Sequence, residues 1–264
     1  MSFPETIGII GGSGQLGGAI ARAVLRSGSV APGRVFISNR SGRADGFGDW
    51  SGINITTRNQ DLADNCELIL LSVPPAAAGD IAVAAPDRLV LSVMAGVTIA
   101  RIGEITGARR IVRAMSNPAA DIGLAYSPWC AGEGVTDQDR QWTQAFFEAC
   151  GLADEVPDED QIDRFTALTG PVPGFVALFA ACMALYATES GVDPAVADRA
   201  VRQLFRAAGA LMADSQASPA DHVQEMLDYA GTTAAGLEAM KAAPLYRSIA
   251  EGLDAAYRRA RAIG

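Results

Sequence analysis

A glycine-rich turn near the start of the chain constrains its fold more than any other feature. The apolar run Ile7–Ile10 leads into Gly12-Ser13-Gly14-Gln15-Leu16-Gly17, and small apolar residues follow at helical spacing. In such a pattern the first glycine permits a tight turn, the second lets the backbone approach a pyrophosphate, and the third lets the helix pack closely on the strand. The free N–H groups at the helix start then face phosphates. The pattern predicts a dinucleotide-binding turn, and the alternative is a glycine-rich connection in another kind of α/β protein.

Apolar runs and helical patterns alternate over the first part of the chain. The predicted strands are 7–10, 34–37, 53–57, 67–73, 88–93 and 110–115, with an edge segment at 153–156. The predicted helices that follow the first one are 59–65, 76–85, 99–106 and 139–150. Alternation at this spacing is typical of a Rossmann-type doubly wound parallel sheet in an α/β protein.

The pattern changes after Pro157, because no further strand candidate follows. Helices begin instead after recognisable caps at Asp193-Pro194 and Ser218-Pro219. We therefore predict a dinucleotide-binding domain over residues 1–157. An all-α helical bundle for substrate binding and dimerisation is predicted over residues 158–264.

The longest apolar stretch covers residues 172–187 and includes Pro173 and Gly174. It is shorter than the roughly 20 residues that a bilayer span requires. A helix that is apolar on all sides is buried on all sides. The stretch therefore predicts burial against a second subunit rather than in a membrane.

Charge and cysteine spacing exclude several classes of protein. The net charge is −9, so no basic stripe is available for a nucleic-acid partner. The opening residues carry no basic segment before the first apolar run, which predicts a cytoplasmic protein. The four cysteines form no C-x-x-C pair, so we expect packing thiols rather than a zinc site or a disulfide framework.

The end of the second predicted strand, Ser38-Asn39-Arg40, decides between cofactors. NAD-binding folds place a carboxylate here for the ribose 2′-hydroxyl, whereas an arginine accommodates a 2′-phosphate. After this strand no carboxylate appears in the chain until Asp45. Arg40 therefore predicts NADP, with NAD as the alternative cofactor and a solvated surface arginine as the alternative role.

Few side chains are available for acid–base or covalent chemistry. The only lysine is Lys241 and the only histidine is His222, which we interpret as surface residues. A redox cofactor that brings its own chemistry fits this shortage. The segment 228–233 (DYAGTT) offers two hydroxyls and N–H groups between two helices, where a small polar substrate could bind. The alternative is that a threonine merely caps the next helix.

At this point the chain resembles a known family from residue 7 to its end. The matching segments are GGSGQLGGAIA (11–21), SNR (38–40), MAGVTI (94–99), RAMSNPA (113–119), TALTGPVPGFVALF (166–179) and AGTTAAGL (230–237). Their order resembles pyrroline-5-carboxylate reductase, an NAD(P)-dependent oxidoreductase of CH–NH groups. That family makes proline by hydride transfer to a small cyclic imine.

The resemblance implies a role for each matching segment. The implied cofactor-binding residues are Gly12, Ser13, Gly14, Gln15, Leu16, Gly17, Ser38, Asn39, Arg40, Val73, Pro74, Ala95, Gly96 and Asn117. The implied substrate-binding residues are Asp228, Gly231, Thr232 and Thr233, with the carboxylate held by backbone N–H groups. Thr233 would be the catalytic hydroxyl beside the imine nitrogen. The family also dimerises through its helical domain, which implies a homodimer or a larger assembly built from it.

The departures from the family pattern keep other hypotheses open. Asp228 stands where the family has a serine that helps to hold the substrate carboxylate. Pro74 and Pro171 replace a lysine and a serine of the family, and Gly11 is an additional residue before the glycine turn. A reductase of a different imine or carbonyl compound, or a non-catalytic NADP-binding protein, is therefore an alternative. A 3-hydroxyacid dehydrogenase is disfavoured, because no lysine lies between positions 161 and 240.

Overall fold

The computed structural model describes residues 3–43 and 45–263, which divide into two compact units. The sheet unit takes the chain up to Val172 and again from Asp254 onward, and the helical unit is Pro173–Leu253. The predicted boundary after Pro157 lies earlier in the chain than this division. The reason is that the first helix beyond Pro157 packs on strands of the sheet and so belongs to the sheet unit.

The sheet unit is built on eight strands. They are β1 (Ile7–Ile10), β2 (Val35–Ser38), β3 (Asn54–Thr56), β4 (Leu68–Leu71), β5 (Leu89–Ser92), β6 (Arg110–Ala114), β7 (Ala125–Ala131) and β8 (Gly151–Glu155). Their order across the sheet is β3-β2-β1-β4-β5-β6-β7-β8, and every neighbouring pair is parallel except β6 with β7. The predicted Rossmann-type doubly wound sheet is confirmed.

Helices cover both faces of the sheet and make up the helical unit. They are α1 (Gln15–Ser27), α2 (Asn59–Asn65), α3 (Ile99–Thr106), α4 (Asp137–Glu148), α5 (Glu159–Leu168), α6 (Gly174–Glu189), α7 (Pro194–Ala213), α8 (Pro219–Asp228), α9 (Thr232–Ala242) and α10 (Leu245–Arg261). The first five and the end of α10 belong to the sheet unit. The predicted all-α second part of the chain is also confirmed, since no strand follows β8 among the described residues.

Continuous apolar strands place the core of the sheet unit on both faces of the sheet. All four residues of β1, of β4 and of β5 are buried. Alternate residues of these strands point to opposite faces, so each strand contributes to two separate apolar clusters. Because β1, β2, β4 and β5 are parallel, the loops that follow them lie along one edge of the sheet, and the strand order reverses between β1 and β4.

Two details of the predicted pattern are wrong. The predicted helix 76–85 is only a 3₁₀ turn, Pro75–Asp80, because Gly79 and the flanking Pro74 and Pro86 disfavour a longer helix. The strand β7 was not predicted, because Pro128 lies at its centre and proline normally argues against a strand. β7 nevertheless pairs antiparallel with β6 and parallel with β8.

The helical unit exposes a large apolar surface. No residue of α6 is buried within this chain, although the helix is almost entirely apolar. Its Leu178 and Tyr186 are 65% and 73% exposed. This is the surface expected of a helix that packs against another subunit. None of the described helices is long and apolar enough to cross a membrane.

The four cysteines are free thiols. Cys66, Cys130 and Cys150 are buried, and burial raises the pKa of the Cys66 and Cys150 thiols to about 12. They therefore remain protonated packing residues. Cys182 differs, because it lies exposed on α6 within the single chain. The described residues contain no group of ligands that could hold a metal ion.

A buried ion pair joins α5 to the sheet. Arg113, at the end of β6, is 1% exposed, and its guanidinium donates to the carboxylates of Glu159 and Asp163 on α5. A buried charge is costly unless it is paired and hydrogen-bonded. The attachment of α5 to the sheet therefore depends on both carboxylates.

We predict that Asp163→Ala lowers the free energy of unfolding by about 3 kcal/mol, because it leaves Arg113 buried with one partner fewer. Urea unfolding at a fixed protein concentration measures the effect. Glu104→Ala is the matched control, since Glu104 forms an exposed pair with Arg101 on α3. We expect the control to cost less than about 1 kcal/mol. Equal losses in the two variants would contradict a structural role for the buried pair.

Candidate functional site

The turn after β1 is held by close backbone contacts to both neighbouring strands. The Gly11 N–H donates to the Ser38 carbonyl at 2.9 Å, and the Ser72 N–H donates to the Ile10 carbonyl at 2.9 Å. Gly11 has φ of +86°, and a Cβ there would lie 2.3 Å from the Ser72 oxygen. The additional residue noted in the sequence is therefore a glycine by necessity.

The start of α1 has the properties of an anion-binding site. Gly14 is the N-cap and offers no side chain, and the first turn of α1 contains no acidic residue. Ser13, Gly14 and Gln15 are exposed. A Cβ at Gly17 would lie 2.6 Å from the Gly11 oxygen, so glycine permits the close packing of the helix on the turn. N–H groups and the positive end of the helix dipole are thus presented to solvent beside a narrow backbone turn.

Two arginines of α1 fix the helix from its other side. Arg22 and Arg26 both pair with Asp121, which lies in a 3₁₀ segment, Pro118–Ile122. The hydrogen bonds from Arg22, then those from Arg26, lower the pKa of the Asp121 carboxyl to about 2. Asp121 therefore stays ionised at neutral pH, and both arginines are engaged in structure.

The loop after β2 contains an arginine, Arg40, that forms no ion pair with the described residues. The side-chain oxygen of Asn39 accepts from the N–H groups of Ser41 and Gly42, at 3.1 and 2.7 Å. The Ser38 hydroxyl donates to the Asn59 side chain at 2.6 Å, and both Ser38 and Asn39 are buried. These two predicted cofactor residues therefore shape the loop. Arg40 lies exposed at its tip, and no carboxylate pairs with it in the described part of the chain.

The same edge of the sheet carries the other predicted cofactor residues. Val73 and Pro74 follow β4, and Ala95 and Gly96 follow β5, where Gly96 has φ of +74°. Asn117 follows β6 but is 3% exposed, and its side chain is engaged within the protein. It accepts from the Ala119 N–H at 3.0 Å and donates to the carbonyl of Thr169 at 3.2 Å. The fold thus brings the predicted loops to one edge, with Asn117 buried beneath them as a loop anchor.

In the helical unit, a turn separates α8 from α9. Ala230 has φ of +55°, the only non-glycine residue of the described chain with a positive φ. Such a conformation costs of order 1 kcal/mol and is often found at functional sites. Gly231 is the N-cap of α9 and has no side chain, so the alternative that a threonine merely caps this helix is wrong.

The start of α9 presents hydroxyls and N–H groups to solvent. Thr232 and Thr233 are the first two residues of the helix and are exposed. The first turn contains no acidic residue, and no partner is found for the N–H groups of these two threonines among the described hydrogen bonds. The start of α9 can therefore bind a small anion within the helical unit.

The helical unit also contains three titratable residues that were noted in the sequence, Asp228, His222 and Lys241. Asp228 ends α8, is exposed, and accepts a hydrogen bond at 2.8 Å from the side chain of Gln224 one turn earlier. His222 is half-buried, with its Nδ1 atom 4.0 Å from the Glu225 carboxylate. Lys241 lies exposed in the last turn of α9. Among the described contacts, none of these three residues forms a hydrogen bond or an ion pair with the Thr232 or Thr233 side chain.

One group that sequence reasoning missed is the Arg113–Glu159 pair. Glu159 also accepts a hydrogen bond at 2.7 Å from the N–H of Ile99, which directly follows the loop containing Ala95 and Gly96. The only signal in the sequence was a second arginine, Arg113, which follows the apolar Ile111 and Val112 in the strand segment RIVRA. Its partner, 46 residues later, could not be identified from spacing.

Comparison with known proteins assigns a family to each part of the chain. Residues 159–263 match the family described as pyrroline-5-carboxylate reductase dimerisation. Residues 6–96 match the family described as NADP oxidoreductase coenzyme F420-dependent. The dimerisation match begins beside the predicted boundary at 157/158, and the match to the oxidoreductase family contains the glycine turn and Arg40.

Individual relatives match over nearly the whole chain. The pyrroline-5-carboxylate reductase of Thermus thermophilus is 30% identical and covers 96% of this chain and 97% of its own length. That of Synechocystis sp. is 29% identical, and the match covers 98% of each chain. The structure of the Coxiella burnetii enzyme matches with a TM-score of 0.89 and 26% identity over 98% of each chain. The sequence, the order of its motifs and the fold agree, and the chain belongs to the pyrroline-5-carboxylate reductase family.

Proposed function

We propose that the protein is an NADP-dependent reductase that converts pyrroline-5-carboxylate to proline by hydride transfer to the C=N carbon. The observation that carries the proposal is the match to pyrroline-5-carboxylate reductases over nearly the full length of the chain. The glycine turn lies in the segment that matches the oxidoreductase family, and the threonine turn lies in the segment that matches the dimerisation family. The protein is accordingly an oxidoreductase that acts on a CH–NH group.

The edge of the sheet fits NADP. The narrow turn, Gly12, Gly14 and Gly17, leaves room for a pyrophosphate beside the first N–H groups of α1. Arg40 would pair with the 2′-phosphate, since its guanidinium can bind phosphate through two parallel hydrogen bonds. Val73, Pro74, Ala95 and Gly96 would line the nicotinamide side. When bound, the reduced nicotinamide supplies the hydride.

The threonine turn supplies the groups that the imine requires. The N–H groups of Thr232 and Thr233 would hold the substrate carboxylate at the positive end of α9. The Thr233 hydroxyl would donate a hydrogen bond to the imine nitrogen and so favour hydride addition at the neighbouring carbon. The carbon gains the hydride, the C=N double bond becomes single, and the nitrogen takes a proton from the hydroxyl or from solvent.

Residues 158–264 would form the part of the chain that dimerises. The dimerisation family covers 159–263, and the exposed apolar helix α6 lies within it. We therefore propose that the functional form is a homodimer, or a larger assembly of such dimers, with α6 buried between subunits. Burial of an apolar face of this kind is a usual source of stability in permanent dimers.

Arg40→Ala is expected to raise the KM for NADPH at least tenfold and to leave the KM for NADH within about twofold. The reason is that only NADPH carries the 2′-phosphate, and tenfold corresponds to about 1.4 kcal/mol. Steady-state kinetics with both cofactors measures the change. Arg34→Ala is a matched control, because Arg34 is exposed at the opposite end of β2. An equal change for the two cofactors would remove Arg40 from phosphate recognition.

Thr233→Ala should lower kcat/KM for pyrroline-5-carboxylate at least tenfold, or about 1.4 kcal/mol of transition-state stabilisation. Thr233→Ser keeps the hydroxyl and should retain most of the activity. The measurement is NADPH oxidation in the presence of the imine, with cofactor affinity determined separately. Full activity in the alanine variant would exclude Thr233 from the mechanism.

Asp228 favours a second candidate function, the reduction of a related imine that lacks a carboxylate. Two like charges 4 Å apart repel by about 4 kcal/mol at an effective dielectric constant of 20, and exposure to solvent weakens this. Such a repulsion would select against an anionic substrate. Gln224, however, holds the Asp228 side chain by a hydrogen bond along α8.

Asp228→Ser and Asp228→Asn are expected to lower the KM for pyrroline-5-carboxylate several-fold, because both remove the negative charge near the bound carboxylate. Neither should change the KM for a carboxylate-free cyclic imine of the same ring size. Parallel assays with the two imines distinguish the candidate functions. An unchanged KM for pyrroline-5-carboxylate would place the Asp228 charge out of reach of the substrate.

A further inference from the structure

The loop between β5 and α3 is held in part by hydrogen bonds to residues of other elements. This loop, residues 93–98, has one internal hydrogen bond between backbone groups, from the Val97 N–H to the Met94 carbonyl at 3.4 Å. Its first residue is bonded to the sheet, since the Val93 N–H donates to the Leu71 carbonyl at 3.1 Å. The side chains of Met94 and Val97 are buried in the core, and the last residue of the loop, Thr98, is the N-cap of α3.

Glu159 holds that end of the loop. The Ile99 N–H is the first of α3, and such groups have no partner within their own helix. It donates to Glu159 Oε1 at 2.7 Å, and the Thr98 hydroxyl separately accepts from the Arg101 N–H at 3.2 Å. The carboxylate also interacts favourably with the positive end of the α3 dipole. An acceptor on α5 thus fixes the point where the loop enters α3.

Arg113 in turn fixes Glu159. The same Oε1 atom accepts from Arg113 Nη1 at 3.1 Å, and the other arm of the guanidinium is bound by Asp163. The sheet unit contains a separate small apolar cluster, and its members include Ile99, Met115, Cys130, Ile162 and Phe165. Glu159 is therefore not a freely moving surface carboxylate.

Stability alone does not explain the buried ion pair of Arg113 with Glu159 and Asp163. A buried ion pair is often no more stabilising than apolar residues of the same size. Arg113 Nε, moreover, is buried and has no partner within the described residues. What apolar residues could not provide is the hydrogen bond to the Ile99 N–H. At the other end of α5, the Thr169 carbonyl accepts from Asn117, so the helix anchors a second loop of the same edge.

We propose that Glu159, held by Arg113, is a positioning residue that fixes the cofactor-lining loop 93–98 through the Ile99 N–H. This inference rests on the proposed function, because that function places the nicotinamide beside Ala95 and Gly96. Glu159 itself need not touch the cofactor. Its contribution is to keep the loop in one conformation before the cofactor binds, which reduces the entropy lost on binding.

The test compares Glu159→Ala with Asp163→Ala. Both variants remove one carboxylate from Arg113, but only the first removes the acceptor for Ile99. We expect Glu159→Ala to raise the Kd for NADPH at least fivefold in a fluorescence titration below the unfolding transition. Asp163→Ala should stay within twofold of the wild type. Hydrogen exchange without cofactor should be faster at residues 97–101 in Glu159→Ala alone.

Glu159→Gln provides the rescue. A single oxygen accepts both hydrogen bonds, so a glutamine oxygen can replace it, and the Kd should stay within about twofold of the wild type. Should Glu159→Ala not fold, Glu159→Asp keeps the charge but shortens the side chain by one methylene, and the same weakening is expected.

Equal Kd values for Glu159→Ala and Asp163→Ala would overturn the inference and leave the proposed function intact. A glutamine variant that binds as weakly as the alanine variant would overturn the assignment to the Ile99 hydrogen bond. A wild-type protein that binds no NADPH would overturn the proposed function and the inference together.

Discussion

The close approach of three backbone segments at the reversal of strand order determines most of the sheet unit. Gly11 lies between the carbonyl groups of Ser38 and Ser72, so β1, β2 and β4 meet at a point where no Cβ fits. The turn therefore must be glycine, and α1 must start immediately beyond it. The start of α1 therefore lies beside this turn, with its first N–H groups available to a ligand.

The sequence predicted secondary structure best where interactions between neighbouring residues determine it. Glycine at a forced turn, continuous apolar strands and a proline after an aspartate or serine cap all act over a few residues. The helices 59–65 and 99–106 could be predicted with their observed bounds for this reason. The first strands and the Rossmann-type order followed from the same local patterns.

The parts that could not be predicted depend on contacts between distant residues. β7 contains Pro128, yet it forms because β6 and β8 provide partner backbone on either side. Pro128 lies opposite Asp154 of β8, and its carbonyl accepts from the Met115 N–H that follows β6. The roles of Ser38, Asn39 and Asn117 in shaping loops, rather than lying open to solvent, likewise depend on partners that spacing does not reveal. The Arg113–Glu159–Ile99 link joins three elements, and no motif connects them.

The scarcity of acid–base side chains fits a reaction of this type. Reduction of an imine moves one hydride and one proton, and the protein's main task is to orient and polarise the C=N group. In the proposed site, backbone N–H groups and the Thr233 hydroxyl would do this without a titrating partner. The positive φ of Ala230 supports this view, because a conformation that costs of order 1 kcal/mol persists only where the surrounding structure enforces it. The proposed site would thus let a chain with one lysine and one histidine carry out the reaction with backbone groups at helix starts.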